Sequence, residues 1–223
     1  LTVLRKQPAQ FDAQGIDVQQ RFAESADGTR IPYYWVGKQK SPDTPTLVYC
    51  YGGFDVPELP HYMGTIGKHW LERGGAFVLA NIRGGGEFVG WHEAAMRRNK
   101  HKSVDDLLAV VVDLHERGYT SAPHTAIQGG SNGGLMVASA FCRQPARIGA
   151  LVCEVPLTDM LRYTELYAGA SWVEEYGDPA DPEMREYLAQ FSPYHQLSGS
   201  LHIAYIGFNT IRKYSTTVAQ KAG

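Results

Sequence analysis

An α/β protein with a mostly parallel sheet is the fold class that this sequence predicts, on three observations. Short apolar runs ending in glycine recur along the chain, amphipathic stretches lie between them, and the two kinds alternate. Such alternation places crossover helices between parallel strands. The 223 residues suffice for one large domain or two small ones.

The elements follow in chain order. Residues 1–20 are polar and interrupted by Pro8 and Gly15, and read as a connector. Two alternating runs, Val18–Ala23 and Arg30–Val36, flank the Asp27-Gly28 turn signal and predict a β-hairpin. Pro42 and Pro45 lead into "TLVYCYGG", a buried strand and its glycine loop. "LERGGAFVLANIRGGGEF" repeats the pattern with a helix end, a strand at Ala76–Asn81 and a second glycine loop. "SVDDLLAVVVDLHERGY" predicts a helix capped by Ser103, with Asp105 and Asp106 in its first turn and Gly118 as its stop. "TAIQGG", "GLMVASAFCRQP" and "GALVCEVP" then read as strand, helix and strand.

Composition excludes several classes. A hydrophobic fraction of 43% and a charged fraction of 20% are ordinary for a globular chain. A net charge of −2 leaves no basic stripe for nucleic acid, and no apolar run is long enough for a membrane helix. Cys50, Cys142 and Cys153 have no metal-like spacing and read as buried free thiols, so neither a metal nor another cofactor is expected. Free thiols suit a reducing compartment, which makes the cytoplasm the expectation and the periplasm its alternative. The chain opens at Leu1 without methionine, basic segment or apolar leader, which reads as a missing native start or a piece of something longer, so the terminus does not report localisation.

"GGSNGG" at 129–134 fits G-x-S-x-G and lies between a predicted strand and a predicted helix. That context marks a nucleophile elbow, in which the serine occupies a strained turn and its neighbours must be small. Amides at the helix start near Asn132 point into the space above Ser131, where one can bind a tetrahedral oxyanion. The bland alternative is a glycine-rich strand–helix turn with an incidental serine; Gly134, which permits close packing, weighs against it. The "RGGGEF" loop lacks the spacing of a phosphate-binding loop and reads as a backbone-approach loop. Glu174 and Glu175 are adjacent, so they cannot face each other as a glycosidase pair. They read as a solvated face, or Glu175 as a site for a substrate amine.

"YGGF", "NIRGGGEF", "GGSNGG" and "SWVEEYGDP", in this order, resemble the catalytic α/β-hydrolase domain of the prolyl oligopeptidase family over about residues 20–197. The resemblance implies a serine peptidase acting on short proline-containing peptides, with an N-terminal β-propeller in an intact relative. It implies Ser131 as nucleophile, the Asn132 amide and the Tyr51 hydroxyl as oxyanion donors, and Trp172, Phe54 and Tyr176 as the lining of a proline pocket. The implied division is a connector at 1–20, a catalytic domain at 21–197 and a divergent tail at 198–223 that leaves the C-terminal strands incomplete.

The fold's order is serine, acid, histidine. Only His195 and His202 follow Ser131, and no Asp or Glu follows Glu186. His195 lies in "SPYHQL", which the family has without catalytic use. The triad acid and histidine are therefore expected to be missing, with His202 as an unorthodox base the alternative. Two rival readings are a carboxylesterase or lipase on the same fold and a catalytically dead peptide-binding remnant.

Overall fold

The computed structural model describes residues 5–6 and 8–197. Its centre is a six-stranded mixed sheet in the order β1-β2-β4-β3-β5-β6. Strands β1 (Asp17–Glu24) and β2 (Arg30–Gly37) form the predicted hairpin, in register from Asp17 opposite Gly37 to Glu24 opposite Arg30. The second strand also lies antiparallel to β4 (Ala76–Ala80). From there β4, β3 (Thr46–Cys50), β5 (Thr125–Gly130) and β6 (Ala150–Glu154) run parallel. The sheet is therefore mixed because the hairpin joins it at one side. The expected incompleteness after β6 concerns residues 198–223 and lies outside the described residues.

Strand alternation sorts side chains onto two faces. One face carries Tyr33, Trp35, Val48, Cys50, Val78 and Ile127, all fully or almost fully buried. Against it pack α2 (His101–Glu116), through Leu107, Val111 and Leu114, and α3 (Asn132–Arg143), through Leu135 and Met136. The other face carries Phe77 and Leu79, covered by a short helix α1 (Gly64–Ile66) that continues as a π-helical turn to Leu71. β4 is buried along its whole length, as a strand with neighbours and cover on both faces must be.

Helix α2 departs from expectation at its start. It begins at His101, so Ser103 lies inside it and its buried hydroxyl donates to the Arg83 carbonyl at 2.6 Å instead of capping an amide. Asp105 and Asp106 fall beyond the first turn. Asp105 pairs with Arg143 at 2.6 Å, tying α2 to α3. Asp106 has no exposed surface and takes the buried Arg83 guanidinium from two sides, Nη2 at 2.6 Å and Nε at 2.9 Å. Ser25 adds a 2.6 Å bond to the same carboxylate, and Asp27 at the hairpin turn takes Arg83 Nη1 at 2.6 Å. The hairpin, the glycine loop after β4 and α2 are thus held by one guanidinium.

Breaking a buried pair leaves a desolvated charge behind. Arg83→Met should therefore cost about 3–5 kcal/mol in urea unfolding. A loss within the ~1 kcal/mol of a surface pair would show that Asp106 finds another partner. Cys50 and Cys153 are buried, whereas Cys142 is only partly so. Burial pushes all three thiols up, Cys142 to about 11 and Cys153 to about 12. Iodoacetamide at neutral pH should then alkylate the native chain very slowly and all three cysteines once urea unfolds it, as mass spectrometry would count.

Candidate active site

The site is built where β5 gives way to α3. Ser131 stands between them at φ 53°, a left-handed conformation that costs a non-glycine residue energy. Its neighbours hold it there: its N–H donates to the Glu154 carbonyl of β6 at 2.9 Å, and its carbonyl accepts the first bond of α3 from Leu135 at 3.1 Å. The amides of Asn132, Gly133 and Gly134 precede that first bond and are the free donors of the helix start. Gly133 must be glycine because a Cβ there would lie 2.5 Å from the Cys50 carbonyl oxygen at the end of β3.

That contact brings the loop after β3 over Ser131. The Tyr51 hydroxyl lies near enough to Ser131 for the two to interact. Burial, and then the charge of Glu175, push the phenol above its ordinary range, while the Ser131 interaction opposes them. Tyr51 is therefore a neutral donor at physiological pH. The Asn132 side chain fixes the same loop, donating from Nδ2 to the Tyr51 carbonyl at 2.6 Å and accepting at Oδ1 from the Tyr176 hydroxyl at 2.9 Å. Phe54 and Asp55 follow, both with positive φ. The "RGGG" loop closes in beneath, where a Cβ on Gly84 would lie 2.3 Å from the Gly52 carbonyl oxygen. It is the backbone-approach loop that its sequence predicts.

The third part is the segment 169–177, a 3-10 turn followed by α4 (Val173–Tyr176). Trp172, at the N-cap of α4, is half-buried and packs on the main core. Phe54 and Tyr176 meet edge to face at 5.7 Å, as do Tyr163 and Tyr176 at 5.5 Å. Tyr176 has no exposed surface, so it backs Phe54 and clamps Asn132 instead of presenting its ring to a ligand. Of the two glutamates, only one lies on the expected solvated face. Glu174 is exposed and pairs with Arg97, but Glu175 is 3% exposed and lies between Lys100 Nζ and His92 Nε2, the latter at 2.7 Å. Its carboxylate already carries two basic partners, which a substrate amine would have to displace.

Sequence reasoning missed Lys100 and His92. Lys100 sits among the basic residues of "RRNKHK", yet it is fully buried. Asp106 did carry a signal, being an acid among the apolar positions of α2. Six of the seven described histidines bond elsewhere: His61 to the Leu59 carbonyl, His92 to Glu175, His101 to Tyr187, His115 to Thr125, His124 to Ser121 and His195 to Ser192. His202 lies outside the described residues. Among the described residues, no group of three or more His, Cys, Asp or Glu side chains is placed to hold a metal.

Gly133→Ala would force the Ser131 turn away from Cys50. A destabilisation of about 1–3 kcal/mol should appear in urea unfolding. An alanine variant of unchanged stability would mean that the two backbones separate freely.

The comparisons with known proteins agree with one another. A family model described as the prolyl oligopeptidase family matches residues 62–206. An uncharacterized peptidase of Sinorhizobium fredii is 46% identical over 198 residues, 87% of this chain and 27% of that protein. A prolyl endopeptidase of Elizabethkingia meningoseptica is 37% identical over 200 residues, 87% of this chain and 28% of that enzyme. Among solved structures, a post-proline cleaving enzyme from Rickettsia typhi superposes with a TM-score of 0.87 at 39% identity, covering 91% of this chain and 30% of its own. The chain thus spans less than a third of the length of each of these relatives.

Proposed function

The chain belongs to the prolyl oligopeptidase family, and we propose that its site is that of a serine peptidase cleaving short peptides after proline through an acyl-enzyme. One observation carries the proposal: a serine in a strained turn at a helix start, with the loop that bears a neutral tyrosine clasped to that helix by Asn132. In this reading Ser131 Oγ attacks the scissile carbonyl. The charge that develops on its oxygen is met by the Asn132 amide and the Tyr51 hydroxyl, both fixed before substrate arrives. Trp172 and Phe54 offer apolar surface to the proline ring, which is rigid and loses little entropy on binding.

Attack also needs a base for the serine proton and an acid to orient that base. After Ser131 this sequence has histidine only at 195 and 202, and no carboxylate beyond Glu186. His195 is taken by Ser192 at 2.8 Å. Residues 1–223 alone should therefore show essentially no hydrolysis of a fluorogenic proline peptide. Robust turnover abolished by both Ser131→Ala and His202→Ala would instead establish His202 as the base.

The substrate reading is tested by grafting residues 21–197 in place of the matching segment of the Elizabethkingia enzyme. The chimera should cleave after proline. Within it, Trp172→Ala should depress proline-peptide hydrolysis far more than hydrolysis of a small ester such as p-nitrophenyl acetate. Equal losses would make Trp172 a core residue, and a chimera that prefers the ester would favour a carboxylesterase.

Tyr51→Phe in the chimera should lower kcat about 10²–10³-fold, the effect of removing one oxyanion donor. KM should move less, because that bond strengthens only in the transition state. An unchanged kcat would remove Tyr51 from the mechanism.

A further inference from the structure

We infer that the buried Lys100–Glu175 pair positions the oxyanion loop, fixing Tyr51 over Ser131 by holding the carbonyl between them and the substrate-facing segment. Lys100 stands immediately before α2 with no exposed surface, and its Nζ has two partners. One is Glu175 Oε1; the other is the Gly52 carbonyl oxygen, at 2.9 Å. Gly52 directly follows Tyr51 and has a φ of +64°, so the peptide that Lys100 grips sets the direction in which the Tyr51 ring leaves the loop. Ser103 Oγ reaches the same carbonyl only at 3.5 Å, too long to replace the ammonium.

The pair closes a ring of contacts. Glu175 belongs to the turn of α4 that starts at Trp172, and its neighbour Tyr176 bonds the Asn132 side chain, which in turn bonds the Tyr51 carbonyl. Two consecutive peptides of the loop, those of Tyr51 and Gly52, are therefore held through two consecutive residues of one helix turn. Trp172, the loop and the nucleophile helix cannot shift independently. A buried ion pair is a poor source of stability, since an apolar pair of the same shape does as well or better. What an apolar pair could not do here is bond the Gly52 carbonyl. Neither residue touches the reacting atoms; both act through the loop.

The inference rests on the proposed function for its catalytic meaning, and its test separates the two. The 223-residue chain is prepared as wild type, Lys100→Met, Glu175→Gln and the double variant, with tyrosine labelled at 13Cζ and Tyr51 assigned by Tyr51→Phe. Each is measured for its unfolding midpoint, for the Tyr51 Cζ resonance well below that midpoint, and for affinity to a peptidyl-proline boronate at mildly alkaline pH, where boron bonds Ser131 Oγ as a tetrahedral anion and the hydroxyl proton passes to the buffer. The single variants should melt lower: Lys100→Met leaves the Gly52 carbonyl unbonded and Glu175 with His92 alone, and Glu175→Gln leaves the buried ammonium without a carboxylate. The double variant should recover most of that loss. Its Tyr51 resonance should nevertheless stay displaced, and its boronate affinity should stay about ten- to a hundred-fold weaker, the scale of a small misplacement. A purely structural role predicts the reverse, with resonance and affinity returning together with the melting temperature, and that result would overturn the inference. Wild-type chain that binds no boronate would count against the proposed function. The Cζ resonance would then decide the positioning role alone: displaced in the double variant, it stands, and unmoved, it falls.

Discussion

The loop after β3 is met by bare backbone from two sides, Gly84 against the Gly52 carbonyl and Gly133 against the Cys50 carbonyl. The loop after β3, the glycine loop after β4 and the first turn of α3 approach so closely that a single methyl group on Gly84 or Gly133 would overlap a carbonyl oxygen. This contact lets a tyrosine from one strand end reach a serine at another. It also explains the polar residues buried nearby. Main-chain groups packed without water must be paired, and the Lys100 ammonium, the Ser103 hydroxyl and the Asn132 amide supply the partners. The glycines and the buried polar side chains are two consequences of one geometric demand.

Burying charge to meet that demand is costly, and the structure offsets the cost by sharing. Arg83 serves two carboxylates, and Glu175 serves two bases. Each ion has most of its hydrogen-bonding capacity used, which is the condition under which a buried pair can hold its geometry. The two clusters lie on either side of the "RGGG" loop in sequence contact terms: Arg83 is its first residue, while Lys100 grips the loop against which Gly84 packs. The site is thus supported by rigid elements of α2 and the hairpin as well as by the strands that carry it.

How much of this was legible depended on whether a residue's role left a local mark. The elbow did, because a strained serine needs small neighbours and "GGSNGG" supplies them between strand and helix. The sheet did too, through apolar runs of strand length ending in glycine. Ser103 misled: a serine ahead of two aspartates has the local pattern of a helix cap, and only the carbonyl of Arg83, distant in sequence, draws it inside. Tyr51 and Trp172 look like ordinary half-buried aromatics, and only the family resemblance suggested roles for them. Lys100 and His92 were hidden because burial is decided by tertiary partners. Nothing within "RRNKHK" tells which lysine Glu175 will take.

The bond from the Ser131 amide to the Glu154 carbonyl has a bearing on how the chain matures. The turn that strains this serine is over-determined by β6 on one side and by Cys50 on the other, and the Asn132 clasp on Tyr51 spans 81 residues of sequence. Contacts of that separation form after the loops between them have closed, and such closure is the slow part of assembling a sheet. A chain still emerging or only partly folded therefore has Ser131 in an ordinary geometry, without Tyr51 beside it. The arrangement around this serine exists only once the surrounding sheet is complete.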